Sequence, residues 1–287
     1  MAFPTGTFTA TDLAAVIPEI WSKKVNEFFR AKLVAANFFT DMSDDVAGGG
    51  DTIHIPSLTE LSANDKSNAA AVTLNSPTES TIDLSINTWK ECSFAIEDKE
   101  ARQVLRSYNI QKRYAQAAAY AIAKALDSAL LGLYAGLSTD VGNSASDISD
   151  AFVIDAIKNL DENDVPAEDR AFFFYPSVMW TAYQTIQKYY DASQAGWNSD
   201  EAPVKNGPRG VLYGIPVYVT TQVPITNTTW VHNMLAHKDA FVYAKAGDIR
   251  LQSNYIPEYL STLTTADLIY GVAENRDAAA VEISTTK

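Results

Sequence analysis

Two short alternating segments enclose a long polar stretch, and this arrangement limits the chain more than any other feature. Asp51-Thr-Ile-His-Ile-Pro56 places Ile53 and Ile55 on one face, the period-two pattern of a strand that Pro56 ends or frays. The same alternation returns at Ile82, Leu84 and Ile86, with Asp83, Ser85 and Asn87 on the other face. Residues 57–79 between them contain no aromatic side chain and are rich in Ser, Asn, Ala and Thr. A compact domain seldom keeps so long a polar connection unless it works outside the core. The expectation is a long hairpin reaching away from the body.

Helical patterns flank that hairpin. From Pro18 to Ala36, the residues Trp21, Val25, Phe29, Leu33 and Ala36 fall on one stripe, with Pro18 suited to a first helical position. Residues 1–17 read as an extended lead-in. After the hairpin, Ile110, Tyr114, Ala118, Ile122, Leu126, Leu130 and Leu133 form a continuous stripe, with Gly136 as its stop. A helix over 108–134 would be about 40 Å long, the length of a beam. A polar linker at 138–150 leads to a second amphipathic helix carrying Phe152, Ile154, Ile157 and Leu160. Next come a buried strand at 170–176 and a helix over 177–190 with Met179, Tyr183, Ile186 and Tyr190 on one face. Residues 191–209 read as an exposed loop. Strands are expected at 215–219, 231–236, 240–243, 249–255, 268–272 and 279–283. Helices and strands mix without a regular βαβ alternation, so the class is α+β.

Chemistry is hard to find in this chain. No phosphate-binding Gly-Lys loop, dinucleotide fingerprint or nucleophile elbow occurs, and Gly48-Gly49-Gly50 precedes a strand, as a tight turn does. The single cysteine, Cys92, excludes an internal disulfide and a multi-cysteine zinc site; its alternation with Phe94 and Ile96 reads as a buried inert thiol. His54 reads as a rim residue, and the spacing of His232 and His237 matches no common metal motif. Asp161-Glu162-Asn-Asp164 reads as a solvated acidic turn, and the glycosylation sequon at Asn227 as incidental. No catalytic, cofactor-binding or metal residue is expected, and the chain is not expected to be an enzyme. An α+β hydrolase with a carboxylate pair is the alternative from another class, since such pairs leave no fixed spacing.

Charge narrows the partners. With 35 acidic against 22 basic residues the formal charge is −13, a poor match for a protein that wraps nucleic acid by neutralising phosphates. No apolar run reaches the ~20 residues of a membrane helix, so no membrane partner is expected, and no export signal is legible at the N-terminus. The distribution is uneven: residues 138–202 carry a net −9, whereas 99–124 carry +5 through Lys99, Arg102, Arg106, Lys112, Arg113 and Lys124 against Glu100. A basic stripe along a long helix faces solvent, a polyanion or an acidic neighbour.

An arm helix, a protruding hairpin, a long spine helix, a mixed domain and returning strands, in that order, resemble one family. This is the tailed-bacteriophage major capsid proteins of the Hong Kong 97 fold. The resemblance covers essentially the whole chain. It is carried by Pro18-Glu-Ile-Trp-Ser-Lys-Lys-Val25 running into Gly50-Asp-Thr-Ile-His-Ile-Pro56, and by Ala125-Leu-Asp-Ser-Ala-Leu-Leu131 in the spine. Phe173-Phe-Tyr-Pro-Ser177 and Gly210-Val-Leu-Tyr-Gly-Ile-Pro-Val-Tyr-Val219 complete it. It implies an N-terminal arm at 1–47, an extended loop hairpin at 48–88, a peripheral domain at 89–174 and 251–287 containing the spine, and an axial domain at 175–250. The loop near 191–209 would approach the centre of a pentamer or hexamer.

The implied function is an icosahedral shell, built from pentamers and hexamers, that encloses double-stranded DNA without reading its sequence. Portal and scaffolding proteins are the implied partners. The implied location is the virion, with assembly in the host cytoplasm. Trp21, Val25, Phe29, Leu33 and Lys66 are the candidate subunit contacts, and Arg106, Lys112 and Arg113 the candidate basic inner face. The spine begins too early for a fused scaffolding segment, so a separate scaffold, or none, is expected. Some members cross-link the loop through a lysine and an asparagine; Lys66 is the only lysine in 57–79, yet no local feature marks an acid as the catalyst of that reaction, and no cross-link is claimed. An encapsulin-like compartment holding a cargo peptide is the alternative within the same fold.

Overall fold

The structure is a computed structural model that describes residues 33–46, 50–58, 61–68, 71–76, 79–99, 110–186 and 210–287. In chain order its elements are α1 (Ala35–Phe38), β1 (Thr40–Asp41), α2 (Ser43–Val46), β2 (Thr52–Leu58), β3 (Glu79–Ser85), β4 (Thr88–Glu97) and the spine α3 (Ile110–Leu131). There follow β5 (Asp140–Gly142), α4 (Asp150–Glu162), β6 (Arg170–Phe174), α5 (Pro176–Thr185), β7 (Val211–Leu212), β8 (Ile215–Val219) and β9 (Ile225–Thr226). The chain closes with β10 (Trp230–His237), β11 (Phe241–Lys245), β12 (Arg250–Ile256), β13 (Ser261–Glu274) and β14 (Ala280–Thr286). The expected α+β class is what the chain adopts.

The spine forms where its stripe demands. Ala118, Ile122, Leu126 and Leu130 are buried in the main core, as their spacing on one helix face requires. The α-helix stops at Leu131, short of Tyr134, and continues as a 3₁₀ turn over Gly132–Gly136. Tyr114, at the other end of the stripe, is exposed, with its ring 5.7 Å from Phe94.

Asp127, next to the buried stripe, is itself fully buried, and its carboxylate accepts the backbone N–H groups of Ala35 at 2.7 Å, Ala36 at 3.1 Å and Val34 at 3.4 Å. Those are the orphan donors at the start of a helix, satisfied here by an acceptor from 92 residues away. Burial raises this carboxyl above its ordinary range, while the three amides pull the other way. The same contact corrects the arm expectation. Val34 has non-helical geometry and a new short helix starts at Ala35, so Leu33 and Ala36 do not share one continuous helix. Trp21, Val25 and Phe29 lie outside the described residues.

Two large sheets are present, and β13 and β4 of the first pack on the spine. One is five-stranded, in the order β1-β11-β13-β12, with β4 added to β13. The other is seven-stranded, in the order β5-β14-β10-β6-β8-β7, with β9 added to β10. In the first sheet β11 bonds β13, and in the second β10 bonds both β14 and β6. β13 is also longer than the apolar run 268–272 suggested. It starts at Ser261 because β4 and β12 bond it from both sides through Thr262, Thr264 and Thr265, which need no apolar run to form a ladder.

Other expectations shift for packing reasons. β6 is buried at every residue, as expected of an unbroken apolar run. On α4, however, Val153, Ala156 and Leu160 face the core, while Ile154 stays 41% exposed and Phe152 and Ile157 are only half-buried. Leu160 is buried as expected, but the smaller Val153 and Ala156 join it on the buried side of the helix, which packs on β14. α5 buries Met179 and Ile186 as expected, leaves Tyr183 half-buried, and ends at Thr185, with 187–209 outside the described residues. Cys92 is half-buried rather than buried, because it sits on the edge-facing strand β4.

The hairpin stands on a core of its own. Val46, Leu84, Ile86, Val242 and Ala244 form a second cluster, flanked by Met42, Ile53, Ile55, Ile269 and Ala273. β11 serves both clusters: Phe241 and Tyr243 enter the main core, while Val242 and Ala244 carry the hairpin root. Gly271 on β13 lets the root approach, since a Cβ there would lie 2.2 Å from the backbone oxygen of Ser85.

Two substitutions follow from these contacts. Asp127→Ala leaves the amides of 34–36 without their acceptor and should lower folding stability by about 3 kcal/mol in urea unfolding of the unassembled subunit. Gly271→Ala should unseat the hairpin root while sparing the main core. Limited proteolysis within 52–85 is expected to speed up before any other cleavage appears.

Candidate functional site

The surfaces that the fold leaves without a partner are more telling than any cleft. β2 and β3 pair antiparallel from Thr52↔Ser85 to Leu58↔Glu79. Pro56 does not end the strand, which continues to Leu58; a two-stranded sheet has edges where a missing N–H does no harm. His54 is exposed and faces Asp83 directly across the ladder, Nδ1 to Oδ1 at 2.6 Å. Farther out, Asn75 donates to the Ser62 carbonyl at 2.6 Å and Asn64 donates to the Asn75 side chain at 2.9 Å, tying the two limbs together. On these limbs Leu58 is 80% exposed and Leu74 84%, with Leu61 and Val72 also exposed. Isolated exposed aliphatics are ordinary, but four on one projecting hairpin are a surface awaiting cover. Lys66 is exposed at the same end and donates to the Ser67 carbonyl at 2.8 Å.

The first described turn of the spine carries Lys112 and Arg113, both exposed, and Lys124 is exposed three turns on. Arg106 lies outside the described residues. Of the candidate contacts, therefore, the structure describes Leu33, half-buried, and Lys66, exposed; of the candidate basic face it describes Lys112 and Arg113.

A cluster that sequence reasoning passed over lies on the outer face of β4, β13 and β12. Trp89 is 66% exposed, yet its indole N–H donates to Asp267 Oδ2 at 3.1 Å. Arg250 donates to the same carboxylate through Nε at 3.0 Å and Nη2 at 2.6 Å. Asp267 is buried, and these donors, Arg250 foremost, hold its carboxyl below the usual range. With Glu91, Gln252, Asn254, Leu263 and Thr265 the group lines a shallow groove of about 520 Å3. The alternation of β4 did contain a signal, because Trp89 and Glu91 must face opposite to Cys92, Phe94 and Ile96. The pairing with Asp267, 178 residues away, had none.

Several described titratable groups inside the molecule are engaged in buried hydrogen bonds and ion pairs. His232 is buried between Glu282, 2.5 Å from Nδ1, and Thr226, 2.9 Å from Nε2, and its ring stacks on Tyr134 at 4.1 Å. Ser284 Oγ donates toward Asp140 or Glu282, at 2.7 and 2.9 Å, rather than to the His232 imidazole. His237, an odd number of positions along the same strand, faces the other side. Asp161 pairs with buried Arg170 at 2.7 Å and Glu162 with Lys158 at 3.5 Å, so the acidic turn is a salt-bridged helix end. Among the described residues no group of three or more His, Cys, Asp or Glu is placed to hold a metal ion, and no helix is long and apolar enough to cross a membrane.

No family model and no curated protein matches this sequence. Solved structures do match. A structure from Mycobacterium phage Che8 superposes with a TM-score of 0.77 at 22% identity, over 93% of this chain and 96% of that one. The capsid of cyanophage P-SCSP1u gives 0.74 at 16% identity, over 99% and 96%. The capsid of the native GTA particle gives 0.72 at 13% identity, over 99% and 100%. The chain therefore has the α+β fold of phage capsid structures, the Hong Kong 97-like architecture anticipated from the order of its elements.

The Asp267 cluster has a pH signature. A carboxyl held low in the folded state adds stability above its unfolded pKa and loses it as pH falls through the folded value. The melting-temperature gap between the native chain and Asp267→Asn should thus be widest near neutrality and close on acidification toward pH 3.

Proposed function

We propose that this chain is a major capsid protein, self-assembling as pentamers and hexamers into an icosahedral shell around a phage double-stranded DNA genome. The observation that carries the reading is the hairpin: a projecting element, rooted on its own small core, that exposes Leu58, Leu61, Val72 and Leu74. A monomer gains nothing from such a limb, whereas a neighbouring copy can bury it. The shared fold with phage capsid structures supports the same conclusion. The subunit works by contact rather than by chemistry.

In this reading residues 1–47 act as an arm, 48–88 as the extended loop, 89–174 with 251–287 as a peripheral region and 175–250 as an axial region. The arm residues Trp21, Val25, Phe29 and Leu33, together with Lys66, lie at subunit contacts. Assembly takes place in the host cytoplasm with a portal and a separate scaffolding protein, and the product is the virion shell. The net charge of −13 suits a wall that encloses DNA without gripping it, while Arg106, Lys112 and Arg113 give the spine a basic side toward the genome or an acidic neighbour.

Electron microscopy of the purified protein decides the matter. The native chain should form closed shells, and a chain lacking residues 57–79 should fold, by circular dichroism, yet form none. Normal particles from that deletion would contradict the role given to the hairpin. Charge reversal at Arg106, Lys112 and Arg113 should reduce assembly or DNA retention, read by particle yield and nuclease-protected DNA.

A further inference from the structure

We draw no further inference here: the strongest candidate, the groove of about 480 Å3 on the outer side of α4 between Ile154, Ile157 and Tyr213, is an apolar face, and nothing in the structure shows what covers it.

Discussion

The five-stranded sheet depends on one strand having both of its backbone edges satisfied. Along Ser261–Tyr270, β13 pairs with β4, while on the other side β12 bonds its first half and β11 its last residues. A strand of polar and β-branched residues such as Thr262, Thr264 and Thr265 gains little from apolar burial alone, so its place is set by hydrogen bonds that would otherwise go unmade. Once β13 is in place, its inner face meets the spine, and Gly271 admits the hairpin root against Ser85. Removing one edge partner would therefore disturb the spine and the hairpin together, although neither belongs to the sheet.

Periodicity made much of this legible. The spine stripe, the alternating limbs of the hairpin, the buried run of β6 and the mixed class follow from residue spacing, because each is a local pattern with one apolar face. Long-range satisfaction was not legible. Asp127 sits in a helical stretch that reads as uniformly amphipathic, and its acceptors' partners at 34–36 are distant in sequence. For the same reason the break at Val34 and the start of β13 at Ser261 escape a window-based reading. The burial of Val153 and Ala156 in preference to Ile154 on α4 is set by tertiary packing, which hydrophobicity does not encode.

The surface followed the same division. The exposure of residues 61–68 and 71–76 was readable from their polar composition. The groove around Trp89 was not, since its three key members come from three strands and only the fold brings them together. The partition of the chain into arm, loop and two larger regions was drawn from element order.

The two unequal clusters divide the molecule into layers of cooperativity. The root of the hairpin is held by a handful of side chains, whereas the main core joins both sheets, the spine and the helices. Fluctuations that open the smaller cluster need not open the larger, so amide protons of β2 and β3 can exchange with solvent through a partial opening of lower free energy. An opening of this kind loosens the hairpin root while the body stays folded. In the proposed shell, such freedom would let one sequence meet neighbours at different angles, with the variation absorbed at the root and the globular parts left unchanged.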